Sequence, residues 1–401
     1  MSGTALDRLR AAATAREAAG LRRALWSRSP DFGGMLDLAS NDYLGLCGDP
    51  RLAAAASAAA AEWGTGATGS RLVTGTTTLH DQLEERLARF TGAAGALVFS
   101  SGYLANLAVV TAVSSALATQ SQGVLIVSDE RNHASLIDAC RLARTQSVRL
   151  AIAPHGDVAA IRGLLAARAE ESALVVSDAV FSVDGALAPV AALHAAAREH
   201  GALLVLDEAH ALGVLGPGGA GASARAGLAA EPDLIRTVTL SKSLASQGGA
   251  VLAAPEVVAT VVDTGRGFIF DTGLAPPSAA AALAALDVVA AEPRRGEAAL
   301  ASAARLAKIA ADLGLTVVPP DAAVLAVVIG DPHAAVAARE ICRREGVRAG
   351  CFRPPSVPAG RACLRLTARA TMSEGDFAIA ARALACVRDH VGVDVHLPFR
   401  Q

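Results

Sequence analysis

Short apolar runs alternate with longer alanine-rich stretches through the first two thirds of this chain. The runs have the length of buried strands and lie at 96–99, 124–127, 173–176, 203–206, 237–240 and 249–253. The stretches between them are long enough for helices that return the chain across a sheet. The alternation therefore predicts an α/β fold with a mainly parallel, doubly wound sheet.

The two ends of the chain follow other patterns. Apolar and charged residues recur at helical spacing over 4–25, and 35–39 has the pattern of a short strand. After residue 276, helical stretches at 277–313, 334–345 and 374–390 enclose strand-like runs at 323–329 and 363–367. These patterns predict an N-terminal arm (1–45), a large domain (46–285) and a small α+β C-terminal domain (286–401).

Charge and hydropathy exclude several classes of function. The 36 Lys and Arg residues nearly balance 38 Asp and Glu, so no basic surplus favours nucleic acid. The mean hydropathy of +0.40 comes from abundant alanine, and no uninterrupted apolar run of about 18 residues predicts a membrane span. The first 25 residues carry too many charges for a signal peptide, so we expect a cytoplasmic protein.

Cysteine and lysine usage narrows the chemistry. The six cysteines form no CxxC pair, which favours buried reduced thiols over a metal site or a disulfide framework. Only Lys242 and Lys308 are lysines, so arginine carries nearly all the positive charge. An amine can form an imine with a carbonyl group, and we therefore regard Lys242 as a candidate nucleophile.

Polar residues follow the predicted strands at the edge where open α/β sheets bind ligands. The turn after 96–99 leads into a helix and could bind a phosphate, although such turns often only connect elements. A loop histidine is often solvent-exposed, and an aspartate after a strand is often a helix N-cap. The residues at these strand ends are Ser101-Gly102-Tyr103, His133, Ser182, Asp207 with His210, Thr239 and Lys242.

The Asp207-Glu-Ala-His210 stretch also resembles the acidic motif of nucleotide-hydrolysing motors. Such an ATPase needs a GxxxxGK[ST] loop upstream, and no lysine precedes Asp207. Pyridoxal phosphate explains more of the strand-end residues than ATP does. Lys242 would hold it as an imine, and Asp207 would pair with its pyridinium nitrogen. We therefore favour pyridoxal 5'-phosphate as the cofactor.

Ordered sequence blocks over nearly the whole chain resemble the α-oxoamine synthases, pyridoxal phosphate enzymes of fold type I. The blocks are Ser40–Gly45, Gly64–Arg71, Thr74-Gly75, His80, Leu83–Glu85, Ser101–Tyr103, His133–Leu136, Phe181–Gly185, Asp207–His210, Thr239–Lys242, Arg353–Pro358 and Leu364–Thr367. The resemblance implies a homodimer, with the segment from Gly64 to Thr78 at a shared active site.

The resemblance also implies roles for individual residues. Lys242 would anchor the cofactor, Asp207 would face its ring nitrogen, and His133 would stack on its ring. Further cofactor contacts are implied for Gly102, Tyr103, Ser182, His210 and Thr239, and substrate contacts for Arg22, His133, Ser356 and Arg365.

The segments 19–23 and 353–358 are most similar to the family member that joins L-alanine to a pimeloyl thioester with loss of carbon dioxide, in biotin biosynthesis. The acyl carrier, coenzyme A or acyl carrier protein, stays open. Family members that use other amino acids and acyl groups, namely glycine C-acetyltransferase, 5-aminolevulinate synthase and serine palmitoyltransferase, stay as alternatives. A pyridoxal phosphate lyase is a further alternative function.

Three positions depart from the family pattern. Ala211 and the Leu244-Ala245-Ser246 stretch stand where glycine is common, and Ser356 stands where threonine is frequent. All of these side chains are small or polar, except Leu244. We therefore expect the departures to affect loop flexibility and rate more than the type of reaction.

Overall fold

The computed structural model describes residues 4–30 and 32–391, and it divides into two units. The larger unit comprises residues 41–182 and 186–299. The smaller unit comprises the residues up to 40, residues 183–185 and the residues from 300 onward. The predicted domain division at 45 and 285 stays a prediction, because packing within a chain does not show which segments fold alone.

The strands and helices confirm most of the elements that the sequence predicts. The strands are β1 Leu36–Leu38, β2 Gly95–Phe99, β3 Val124–Asp129, β4 Val148–Ala153, β5 Ser172–Asp178, β6 Leu203–Asp207, β7 Leu234–Thr239, β8 Gly249–Ala253, β9 Val324–Gly330, β10 Val347–Phe352 and β11 Ala362–Thr367. The α-helices are α1 Ala5–Ala18, α2 Pro50–Trp63, α3 Thr78–Thr91, α4 Gly102–Gln120, α5 Ala134–Ala143, α6 Val158–Ala166, α7 Val190–Glu199, α8 Ala222–Arg225, α9 Pro255–Thr264, α10 Arg266–Ile269, α11 Pro276–Ala291, α12 Arg295–Asp312, α13 Pro332–Arg344 and α14 Glu374–Val391.

The larger unit contains a seven-stranded sheet in the order β2-β8-β7-β6-β5-β3-β4. All pairs from β4 to β7 are parallel, and only β8 runs antiparallel to its neighbours. In this register Asp207 pairs with Asp178 on one side and with Thr237 on the other. The carboxyl ends of β5, β6 and β7 therefore meet at one edge, where the sequence predicts the site.

Helix α4 packs in the core of the larger unit. It is the one helix among the described residues that is long and apolar enough, by length and composition, to cross a membrane. Its buried Val109 and Val113 belong to one apolar cluster with Ile126, Val176 and Val205 of the sheet. Burial against the sheet accounts for the apolar composition of this helix.

The smaller unit contains a four-stranded sheet in the order β1-β10-β11-β9, in which only β1 and β10 are parallel. Strand β10 was not predicted, because Arg348 and Gly350 interrupt its apolar pattern. The predicted helix over 4–25 was wrong beyond Ala18, where α1 ends. Gly20, with φ of +67°, turns the chain there into a segment without regular structure.

Candidate active site

Asp207 is the last residue of β6 and is buried. Its Oδ1 accepts a hydrogen bond from the backbone N–H of Ala209 at 2.8 Å. Its Oδ2 accepts one from Nδ2 of Asn106 at 2.6 Å. These donors fix the orientation of a carboxylate that would otherwise be costly to bury.

Asn106 connects Asp207 to two other elements. Its Nδ2 also donates to Oγ of Ser135 at 2.9 Å, and its Oδ1 accepts from Oγ1 of Thr237 at 2.6 Å. Asn106 was not among the predicted site residues. One sequence signal could have identified it: Asn106 is an amide side chain in an otherwise apolar predicted helix. A polar group buried there needs polar partners.

His133 precedes α5 and is its N-cap residue. Its Nδ1 lies 2.7 Å from Oγ of Ser135 and accepts from the backbone N–H of Ser135 at 3.3 Å. Burial lowers the pKa of this imidazole, while Asp207 raises it and Lys242 lowers it. The ring is therefore neutral near pH 7, with its proton on Nε2, because Nδ1 acts as an acceptor.

Asp178, which ends β5, holds the loop that carries His133. Its Oδ2 accepts from the backbone N–H of His133 at 2.6 Å, and its own N–H donates to Oδ1 of Asn132 at 2.8 Å. Burial, followed by the adjacent charge of Asp207, raises the pKa of Asp178 well above its usual range. No sequence pattern assigned Asp178 a role, because only the register of β5 against β6 brings the two carboxyl groups together.

The amine of Lys242 lies beside an imidazole. Lys242 Nζ is 2.7 Å from Nε2 of His210, and Nδ1 of His210 is 2.6 Å from the hydroxyl oxygen of Tyr43. Tyr43 is fully buried and also donates to Oδ1 of Asn41 at 3.0 Å. Tyr43 lies in the family block Ser40–Gly45, and no sequence pattern assigned it a function.

The N-terminus of α4 lies against the end of β7. Oγ of Ser101 caps the N–H of Leu104 at 3.1 Å, and the amides of Gly102 and Tyr103 precede any intrahelical acceptor. A Cβ on Gly102 would lie 3.1 Å from Cβ of Thr239, and one on Gly249 would lie 2.4 Å from Cα of Gly102. Glycine is therefore required at position 249, because β8 passes so close to the start of α4. The N-terminus of α4 thus presents the amides of Gly102 and Tyr103 beside the hydroxyl of Thr239.

Two neighbouring loops complete this part of the larger unit. Ser182 is half-buried and follows Phe181, whose ring packs edge-on against His155 at 4.3 Å. Glu208 is buried and accepts from the N–H groups of Ala222 and Ser223, at 2.7 and 3.1 Å. Glu208 therefore holds the start of α8, which explains the acidic residue next to Asp207 without a catalytic role.

Ala245, in one of the departures from the family pattern, has φ of +48°. Alanine rarely adopts this left-handed conformation, since its Cβ approaches the backbone carbonyl. Ala211, the other residue at a glycine position, is fully buried and donates its N–H to the carbonyl of Glu208 at 2.9 Å. Only the first of these two substitutions therefore carries backbone strain.

The predicted substrate residues Arg22, Ser356 and Arg365 belong to the smaller unit. The Arg22 side chain is exposed and forms an ion pair with Glu17 at 2.8 Å. Arg365 is buried on β11, and its guanidinium lies 5.5 Å from the centre of the Phe352 ring. Ser356 lines a cleft within this unit. Their contact with substrate stays a prediction.

A cluster of His194, Glu231 and Asp233 also lies in the larger unit, with ligand atoms within 4.8 Å of one another. Arg198 pairs with both carboxylates, at 2.8 Å in the case of Asp233. A guanidinium thus already binds both carboxylates, and we assign no metal ion to this cluster.

The residues of the larger unit fit pyridoxal phosphate. They provide an amine held by an imidazole, a buried carboxylate on a central strand, a neutral histidine and a helix N-terminus with free amides. These groups suit, in turn, the aldehyde, the pyridinium nitrogen, the ring face and the phosphate.

Comparison with known proteins agrees with this fit. The family model described as aminotransferase class I and II matches residues 33–384. The 8-amino-7-oxononanoate synthase of Mycolicibacterium vanbaalenii is 54% identical over 371 residues, which cover 92% of this chain and 94% of that protein.

Solved structures show the same fold. A serine palmitoyltransferase from S. paucimobilis with bound PLP and myriocin has a TM-score of 0.87 and 27% identity, covering 97% of this chain and 98% of that one. The 8-amino-7-oxononanoate synthase of Francisella tularensis has a TM-score of 0.75 and 22% identity, covering 90% and 98%.

The predicted fold class, the predicted family and the prediction of a pyridoxal phosphate enzyme are confirmed by these matches. The chain belongs to the aminotransferase class I and II family, among the 8-amino-7-oxononanoate synthases.

Proposed function

We propose that this chain is a pyridoxal-phosphate-dependent acyltransferase that condenses L-alanine with a pimeloyl thioester. The products are 8-amino-7-oxononanoate, carbon dioxide and the free thiol, in biotin biosynthesis. The observation that carries the proposal is the amine of Lys242 held 2.7 Å from His210, in the same unit as the buried Asp207. The 54% identity to a synthase of this name supports the substrates.

We assign the cofactor contacts to residues of the larger unit. Lys242 anchors the aldehyde, and the amides of Gly102 and Tyr103, with Thr239, bind the phosphate. His133 stacks on the ring, while Ser182 and His210 contact it and its oxygen substituent. Pyridoxal phosphate supplies an electron sink for the electron pair left at the alanine α-carbon.

Asp207 and Lys242 divide the chemistry of the α-carbon between them. The negative charge of Asp207 keeps a proton on the ring nitrogen, which makes the ring a better electron acceptor. Lys242, once alanine has taken its place, provides a free amine that can remove the α-proton. His210 orients this amine, because its Nε2 lies within hydrogen-bond distance of Nζ.

The remaining predicted residues bind substrate. His133 has Nε2–H free to donate to a carbonyl or carboxylate oxygen, since Nδ1 already contacts Ser135. The planar fork of Arg365 suits the alanine carboxylate, and Arg22 and Ser356 bind the acyl thioester.

The proposal includes a homodimer. Leu72 and Val73, in the π-helical turn Arg71–Gly75, are 52% and 78% exposed, and Phe270 is 70% exposed. A backbone bridge between Ser70 and Thr272 ties their two segments together. Exposed apolar side chains of this kind indicate an interface. A monomeric wild-type protein by light scattering would contradict this part of the proposal.

The proposal also includes a cytoplasmic location, because thioesters of coenzyme A and acyl carrier protein are made and used there. A fractionation of cells that express the full chain measures it. Recovery of the enzyme mainly with the membrane or the medium would count against this location.

A thiol-release assay tests the activity. Alanine, glycine and serine are crossed with pimeloyl, acetyl, succinyl and palmitoyl thioesters of coenzyme A, and pimeloyl acyl carrier protein is added as a second donor. We expect alanine with pimeloyl to have the highest kcat/KM. Glycine with acetyl or succinyl, or serine with palmitoyl, would instead identify one of the alternative activities, and no thiol release with any pair would favour the lyase.

A further inference from the structure

A cleft of about 310 Å³ lies entirely within the smaller unit, and its lining is strongly basic. Arg23, Arg339 and Arg353 are among its lining residues, and the lining contains no acidic residue. Leu21 and Phe352 supply apolar walls beside them. An anionic group joined to an apolar chain matches this combination of surfaces.

Arg339 of α13 lacks a counter-charge. It forms no hydrogen bond or ion pair within residues 4–30 and 32–391, and its Nε is shielded from solvent. The guanidinium lies 4.9 Å from the centre of the Trp26 ring, and this cation–π contact orients the guanidinium. A partly buried guanidinium without a carboxylate partner gains most from an anion that arrives with a ligand.

Arg353, unlike Arg339, forms hydrogen bonds with the backbone. It is 9% exposed, and its guanidinium donates to the backbone carbonyls of Gly20 and Arg22, the latter at 3.2 Å. These bonds hold the irregular segment after α1 against the end of β10. The neighbouring Arg23 lines the cleft and has no partner of its own in the described part of the chain.

We propose that Arg23 and Arg339 form an anion subsite for the acyl thioester, with Arg353 as the positioning residue. The inference rests on the proposed function and assigns its acyl specificity. Two groups of that substrate are anionic: the carboxylate at the far end of the pimeloyl chain and the phosphates of coenzyme A. The apolar walls favour the carboxylate, because a methylene chain precedes it.

The test compares Arg339→Gln with the wild-type holoenzyme on three donors, with alanine as the amino acid. Pimeloyl-CoA carries both anionic groups, heptanoyl-CoA lacks the terminal carboxylate, and pimeloyl-pantetheine lacks the phosphates. For a carboxylate subsite, KM rises about 10- to 100-fold for both pimeloyl donors and changes less than about 2-fold for heptanoyl-CoA. For a phosphate subsite, KM rises for both coenzyme A donors and not for pimeloyl-pantetheine.

Arg343→Gln provides the matched control. Arg343 lies one turn further along α13, its guanidinium lies 5.7 Å from the same Trp26 ring, and it pairs with Glu340 outside the cleft. Its KM values should match the wild type. Unchanged KM values in Arg339→Gln for all three donors would overturn the subsite, and so would an equal rise in both variants. Wild-type turnover of pimeloyl-CoA separately tests the proposed function, so the two failures are distinguishable.

Discussion

Lys242 and His210 are joined by a 2.7 Å contact between Nζ and Nε2, and His210 in turn contacts the buried hydroxyl of Tyr43 at 2.6 Å. Since the Tyr43 hydroxyl donates to Asn41, Nδ1 of His210 carries the proton toward Tyr43, and Nε2 accepts from the lysine. The imidazole thus fixes the direction of the amine before any ligand binds.

Lys242→Ala should abolish the absorbance of lysine-bound pyridoxal phosphate and lower kcat on the order of 10²- to 10⁴-fold, because both the anchor and the proposed base are lost. Spectroscopy and the thiol-release assay measure the two effects. Lys308→Ala is the control, since Lys308 is the other lysine and its exposed side chain pairs with Asp312 at 2.8 Å. Appreciable turnover of Lys242→Ala without an added amine would refute the assignment.

Asn106→Ala should lower both stability and activity. It removes hydrogen-bond partners from Asp207, Ser135 and Thr237, at a cost of about 1–3 kcal/mol in the free energy of unfolding. The control is Ser114→Ala on the same helix, because that buried hydroxyl donates only to backbone carbonyls of α4. Urea unfolding and alanine α-proton exchange are measured for both variants. Normal exchange in Asn106→Ala would show that the link to Asp207 is only structural.

Ala245→Gly should stabilise the protein, because glycine adopts φ of +48° without the Cβ clash. The relief of about 1–2 kcal/mol exceeds the extra entropy that glycine gives the unfolded chain, so we expect a net gain of up to about 1 kcal/mol. Ala211→Gly should have the opposite effect, since Ala211 lies outside the positive-φ region. Thermal unfolding measures both, and a lower Tm for Ala245→Gly would contradict the strain.

His80 should make stability depend on pH. Burial, and then Arg71, lowers its pKa in the folded state, where Nδ1 accepts from Thr77 and Nε2 donates to the Leu274 carbonyl. Below about pH 6.5 the unfolded chain binds a proton at His80 that the folded chain does not bind. The stability that neutral His80 contributes is therefore fully present above about pH 6.5. It is lost as the pH falls toward the lower pKa of His80 in the folded state.

His80→Gln isolates this effect, since glutamine keeps the capping box with Thr77 and does not titrate. Unfolding of cofactor-free protein between pH 7.5 and 5.5 should show a shallower loss of stability in the variant, by up to about 1.4 kcal/mol per pH unit. Identical slopes for variant and wild type would be inconsistent with a lowered pKa of His80.

The strands of the larger unit could be predicted because buried strands leave apolar runs, but β4 was missed. Four of its six residues are exposed or half-buried, because the strand lies at the edge of the sheet, and Arg149 interrupts its apolar pattern. The predicted end of α1 was wrong for another reason. The periodic pattern continues beyond Ala18, but hydrogen bonds from Arg353 hold those residues outside the helix.

The sequence by itself determined the strand–helix alternation and the family. It also singled out Lys242, Asp207 and His133, because each lies shortly after a short apolar run, which is a local pattern. Tertiary structure alone decided which groups meet. Strand register places Asp178 beside Asp207, and helix packing brings Asn106 to Asp207. It also brings Arg23 and Arg339, which are distant in the chain, to the lining of one cleft. These contacts join residues distant in the chain, and their energies depend on burial and geometry that no short pattern of residues contains.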